Sequence, residues 1–191
     1  AAIYKVSRKF LSKNLSLLAV IIFYSNLVVG WMSITAYVDL VRTFFEIMAL
    51  WGFLEWWQKK ELKWLIESAV MLGLAISTKL LALGSLLIFS VLIIAYLLNK
   101  KTTFKNLFIE LFVYWLIALL IPLPWFVFSF VHTGNPVYPF FSEIYPVNPN
   151  FQIVNPFFHK SDSISLIYIL LLAVTFVFKN LNIKLKLISF Y

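Results

Sequence analysis

The sequence predicts an all-α, polytopic membrane helix bundle of about six transmembrane helices arranged in three hairpins. The first observation is composition. Of 191 residues, 62% are hydrophobic and 13% charged, with a mean hydropathy of +0.92, whereas a soluble domain carries about 25% charged residues. The second is a succession of apolar runs, most of them close to 20 residues. That length crosses a hydrocarbon core of roughly 30 Å at about 1.5 Å per residue. The third is where the basic residues fall between those runs.

Residues 15–34 are a first span and residues 38–57 a second. The run 64–98 is too long for one crossing and divides into spans 64–79 and 81–98, turning near Ser77-Thr78-Lys79 or Gly84-Ser85. Residues 107–131 are a fifth span, long enough to tilt, with Pro122 and Pro124 expected to kink its outer third. Residues 164–178 are a short sixth. The whole of 1–191 reads as a single transmembrane domain. It is expected to be a fragment of a longer polypeptide, because it opens on alanine and its last residues, "LKLISFY", begin another apolar run.

Thirteen of the sixteen basic residues gather at every second turn. Lys5, Arg8, Lys9 and Lys13 precede the first span, and Lys59, Lys60 and Lys63 follow the second. Lys100, Lys101 and Lys105 follow the fourth, and Lys179, Lys184 and Lys186 the sixth. The positive-inside rule makes these clusters cytoplasmic, in a multi-pass protein of the cell membrane. The net charge of +8 then reports topology, and no nucleic-acid partner is implied. The absence of cysteine excludes disulfides and thiolate chemistry.

This topology puts residues 132–163 outside the cell. The segment opens with "HTGNPVYPFF", whose glycine and prolines end the fifth helix and impose turns. Its many aromatic rings suit the headgroup zone better than open water.

Ionisable groups inside hydrocarbon cost at least about 2.5–3.5 kcal/mol each, so they mark candidate sites. Asp39, Arg42 and Glu46 share one helical face at i, i+3 and i+7. Two readings stand. Arg42 pairs with both acids as a self-neutralising ladder, or Asp39 closes a polar cavity open to the outside, with Arg42 setting its position. Lys79 either snorkels to the outer headgroups or offers a fixed cation to a lipid phosphate. Glu55, Glu67 and Glu110 read as partners of interfacial lysines. His132, His159 and Glu143 follow no metal-ligand spacing, and no metal or cofactor is expected.

Three segments carry a resemblance. "AYVDLVRTFFEIMALWGFLEWW" resembles the acid-bearing span of GT-C polyprenyl-phosphate-sugar-dependent glycosyltransferases, among them protein O-mannosyltransferases and lipid A aminoarabinose transferases. "MLGLAISTKLLALGSLLI" is similar to their "GLA-TK" span, and "HTGNPVYPFF" to an element after a later span. Order, spacing and side agree over roughly residues 15–160. The resemblance implies an integral membrane glycosyltransferase, using a polyprenyl-phosphate-linked sugar donor and a glycan, lipid or protein acceptor. It matches Asp39 to the second acidic site of such enzymes, expected to be catalytic, Lys79 to the lysine of the "TK" span and Asn135 to the last motif, which His132 and Tyr138 flank; these last four and Arg42, beside Asp39, are the expected substrate-binding residues. The large first outer loop that bears the main acid of such enzymes has no counterpart here. The chain is therefore expected to begin after it, and to be inactive alone.

Two other classes stay open. A multispanning transporter would also bury such charges, but with broken helices at midmembrane and an internal repeat. A non-catalytic lipid-binding subunit would need none of these polar groups in register.

Overall fold

The computed structural model describes residues 1–35, 37–99, 103–141 and 144. The expected sixth span at 164–178, most of the outer segment, and Lys100 and Lys101 lie outside the described residues. Among the described residues every regular element is helical: α1 Ala2–Ser7, α2 Lys13–Ser25, α3 Leu27–Ser33, α4 Asp39–Lys59, α5 Leu62–Thr78, a 3-10 turn Leu80–Ala82, α6 Leu83–Asn99, α7 Phe104–Leu120 and α8 Leu123–Thr133. The chain divides into two compact units, Ala1–Phe126 and Val127–Tyr191.

The first unit is built on an antiparallel hairpin of α4 and α5. Lys60 closes it in a left-handed conformation (φ 63°), its amide returning to the Trp56 carbonyl at 2.9 Å. Lipid tails are as apolar as leucine, so helices in a membrane associate by close packing rather than by water exclusion. Small residues allow that packing here. A Cβ on Gly52 would stand 3.0 Å from the Ser68 amide nitrogen, and one on Gly73 would stand 3.0 Å from the Ala118 carbonyl of α7. Ser68, fully buried, donates to the Ala49 carbonyl of α4 at 2.8 Å and lies 3.2 Å from the Tyr114 hydroxyl of α7. Three helices therefore meet at one hydroxyl. Phe53, Leu65, Leu72, Phe89 and Tyr114 are fully buried in the same unit. On α6, Ser90 accepts from the Trp115 indole at 2.8 Å and ties that helix to α7. The outer faces are apolar instead: Ile21 and Ile22 on α2, and Phe108, Phe112 and Leu120 on α7, are all exposed. Bare apolar faces of this extent suit lipid.

Leu80–Asn99 is long and apolar enough to cross a membrane unaided, and two bent pairs are so only if each pair is taken as one broken span. The described helices thus supply one to three spans by that measure, against the five spans expected over the same residues. The reasons are local. α5 has only 17 residues, and α4 carries Asp39, Arg42, Glu46, Glu55 and Lys59. The run 15–34 breaks at Asn26, where α2 and α3 meet at 78°. There the Asn26 carboxamide accepts from the Val28 amide at 3.0 Å and caps a new helix. The run 107–131 bends by 57° between α7 and α8, at Pro122, as its prolines predict. The run 64–98 turns at Lys79 rather than at Gly84-Ser85, which lie inside α6.

Candidate functional site

The hairpin sets the N-terminus of α4 beside the C-terminus of α5. Asp39 is the first residue of α4, and Lys79 caps α5 with extended backbone (φ −157°, ψ 123°). The Ser77 and Thr78 hydroxyls fold back onto the Gly73 and Leu74 carbonyls at 3.0 and 2.8 Å as the helix ends. A carboxylate at a helix start and a cation at a helix end each suit the local dipole. They also suit each other: Lys79 Nζ donates to Asp39 Oδ1 at 2.7 Å. The Asp39 side chain is 17% exposed and that of Lys79 43%, so the cation is held by the acid yet keeps an accessible face.

One turn along, Arg42 Nε stands 3.6 Å from Glu46 Oε2. The ladder in which Arg42 serves both acids is not formed among the described residues: Asp39 takes Lys79, and Arg42 takes Glu46. The other Glu46 oxygen accepts from the Ser85 hydroxyl of α6 at 2.7 Å. Arg42 Nε itself is buried without a hydrogen bond. Ser85 escaped the sequence reading. The signal for it was a hydroxyl in the first turn of the most apolar helix, level with an acid that needed a partner.

The far end of the hairpin is basic. Glu55 pairs with both Lys9 and Lys59, as expected of an interfacial acid. α1 runs alongside α4 in the same direction, with Lys5 Nζ 3.8 Å from the Trp51 ring centroid and Lys9 on Glu55. Lys60 sits 3.6 Å over Tyr96. The Lys63 ammonium, 2.5 Å from Glu61, holds that carboxyl below its ordinary range. Glu110 Oε2 is buried with no hydrogen bond among the described residues, and the Lys60 ammonium acts on that carboxyl through its charge. The first two basic clusters thus come together at one end of the hairpin, and Asp39 and Lys79 at the other.

In the second unit the "HTGNPVYPFF" segment is organised by Asn135. Gly134 takes φ 74°, a left-handed conformation that glycine adopts without penalty. Asn135 is fully buried. Its Nδ2 donates to the Phe140 carbonyl at 2.7 Å, and its Oδ1 accepts from the Val137 amide at 2.9 Å. The Ser129 and Thr133 hydroxyls donate to its own carbonyl at 2.8 and 3.1 Å. Asn135 therefore shapes the loop with both ends of its carboxamide. His132 stacks on Phe128 with ring centroids 4.1 Å apart, its Nδ1 2.8 Å from the Phe128 carbonyl. Tyr138 precedes Pro139 in a cis peptide, its amide returning to the Asn135 carbonyl at 3.4 Å.

No curated protein and no solved structure matches the chain. The family resemblance is nevertheless borne out independently, because a family model matches residues 1–128, a stretch that contains the first two motifs with Asp39, Arg42, Glu46, Lys79 and Ser85, while the third motif at 132–141 lies beyond it. The chain belongs to the dolichyl-phosphate-mannose-protein mannosyltransferase family.

Proposed function

We propose that the Asp39–Lys79 pair is the centre of a site that moves a sugar from a polyprenyl-phosphate donor to an acceptor at the extracytoplasmic face of the membrane. One observation carries this reading: the acid of one motif and the cation of the other, forty positions apart, meet at 2.7 Å. The family description names a dolichyl-phosphate-mannose donor and a protein acceptor, and the same chemical classes are taken for this chain. Its basic end, with Lys9, Lys59 and Lys63, faces the cytoplasm, six spans in three hairpins cross the bilayer, and the Asp39 end faces out.

The chemistry follows from the two charges. An acceptor hydroxyl attacks the anomeric carbon while its proton passes to the Asp39 carboxylate. The bond between that carbon and the phosphate oxygen breaks, its electron pair stays on the lipid phosphate, and Lys79 offsets the charge that develops. Before the donor arrives, each residue neutralises the other, which lowers the cost of holding both near hydrocarbon. The donor phosphate competes with Asp39 for Lys79 and so frees the carboxylate for the acceptor. Arg42 adds positive potential beside this site.

Membranes from cells producing the native-length protein test this with radiolabelled polyprenyl-phosphate mannose. Asp39→Asn is expected to lower transfer by about tenfold or more with normal insertion, the loss expected of a missing general base. The double variant Asp39→Asn, Lys79→Met is expected to stay equally inactive. Recovery of activity in the double variant would instead make the pair a structural ion pair and overturn the reading.

A further inference from the structure

Arg42 is within helical reach of two acids, Asp39 three residues before it and Glu46 four after. An arginine left to choose would compete with Lys79 for the Asp39 carboxylate, and its guanidinium fork binds carboxylates better than an ammonium does. In the structure it does not choose Asp39. It lies against Glu46 Oε2 at 3.6 Å, with Nε buried and making no hydrogen bond. Glu46 is in turn fixed from the neighbouring helix, because Ser85 Oγ donates to its other oxygen at 2.7 Å. The Glu46 side chain is only 15% exposed, so its two contacts meet little competition from water.

We infer that Glu46, anchored by Ser85, is a positioning residue that holds Arg42 away from Asp39 and so reserves the Asp39 carboxylate for Lys79. The inference rests on the reading of Asp39 and Lys79 as the transfer site, but the geometry it claims can be tested without activity. Where the base must be released when a phosphate takes its cation, a second and tighter cation on that base would keep it blocked. Glu46 removes this competitor, and Ser85 ties the arrangement to α6, so that α4, α5 and α6 must be docked together before the site is set.

Zero-length carbodiimide cross-linking of the purified full-length protein in detergent micelles reads the pairing directly. The reagent activates the Asp39 carboxylate, the Lys79 amine displaces it as the urea, and an amide joins the two residues for detection by tandem mass spectrometry. Guanidinium groups do not react in this way. Wild type is expected to give the Asp39–Lys79 cross-link. Glu46→Gln frees Arg42 and is expected to reduce it by about fivefold or more, and Ser85→Ala by a smaller factor. Arg42→Met combined with Glu46→Gln removes the competitor and is expected to restore the cross-link. Donor-dependent transfer should fall in Glu46→Gln. An unchanged cross-link in Glu46→Gln overturns the inference. So does a cross-link lost in both Glu46→Gln and the double variant, since that reports general loss of packing. Because the cross-link does not depend on turnover, its failure and failure of the transfer reading remain distinguishable.

Discussion

Gly52 of α4 lies against Ser68 of α5 so closely that a Cβ on Gly52 would stand 3.0 Å from the Ser68 amide nitrogen and 3.2 Å from the Trp64 carbonyl. Both neighbours are backbone atoms, so neither can turn aside. Gly52→Ala is expected to force the helices apart at a cost of about 1–3 kcal/mol, the range for overpacking a tight interface. Thermal unfolding in detergent measures it, and a melting temperature equal to wild type would show that the two backbones do not approach as described. The consequence reaches the site, because the same register that seats Gly52 on Ser68 also brings Asp39 to Lys79.

The Asn135 loop makes a separate prediction. Asn135→Ala leaves the Phe140 carbonyl and the Val137 amide without their partners, each loss costing about 1–3 kcal/mol where the group stays buried. The loop should open, and limited proteolysis of inserted protein should cut within residues 134–141 much faster than in wild type. Gly134→Ala, at φ 74°, should act in the same direction but more weakly, by about 1 kcal/mol. Equal cleavage of Asn135→Ala and wild type would deny Asn135 its organising role.

Topology makes a third. Cysteines introduced at Ser142 and Asn150 are expected to react with an impermeant maleimide on intact cells, and those at Gln58 and Thr102 only after permeabilisation. The basis is the placement of thirteen of the sixteen basic residues at alternate turns. Labelling at Gln58 from outside would reverse the sidedness assigned to the Asp39 end.

The charges of the site were legible in the sequence, and their pairing was not. Asp39, Arg42, Glu46 and Lys79 stood out because each is costly in an apolar run. Spacing along α4 alone, however, leaves Arg42 within reach of both acids. What decides between them comes from elsewhere: Lys79 at the end of α5 and Ser85 at the start of α6. That decision depends on helix register, which a single chain pattern does not encode. The bend at Pro122 was legible because proline removes a backbone donor. The break at Asn26 was not, because a lone asparagine in an apolar run reads as tolerated until its carboxamide is seen capping the Val28 amide. The Asn135 motif was legible as well, but not that its carboxamide holds its own loop, which depends on backbone groups two and five residues on.

In the proposed reaction Lys79 receives the donor phosphate, and Lys79→Met removes that contact. Methionine keeps the apolar stem and removes the cation that now sits 2.7 Å from Asp39. The measurement is a donor titration of purified full-length Lys79→Met enzyme at fixed acceptor, followed by an acceptor titration at saturating donor. Loss of a charge-assisted contact worth roughly 1.5–3 kcal/mol predicts an apparent KM for donor about tenfold or more higher, or kcat lowered by a similar factor, with the acceptor KM unchanged. Wild-type donor kinetics in Lys79→Met would contradict the account.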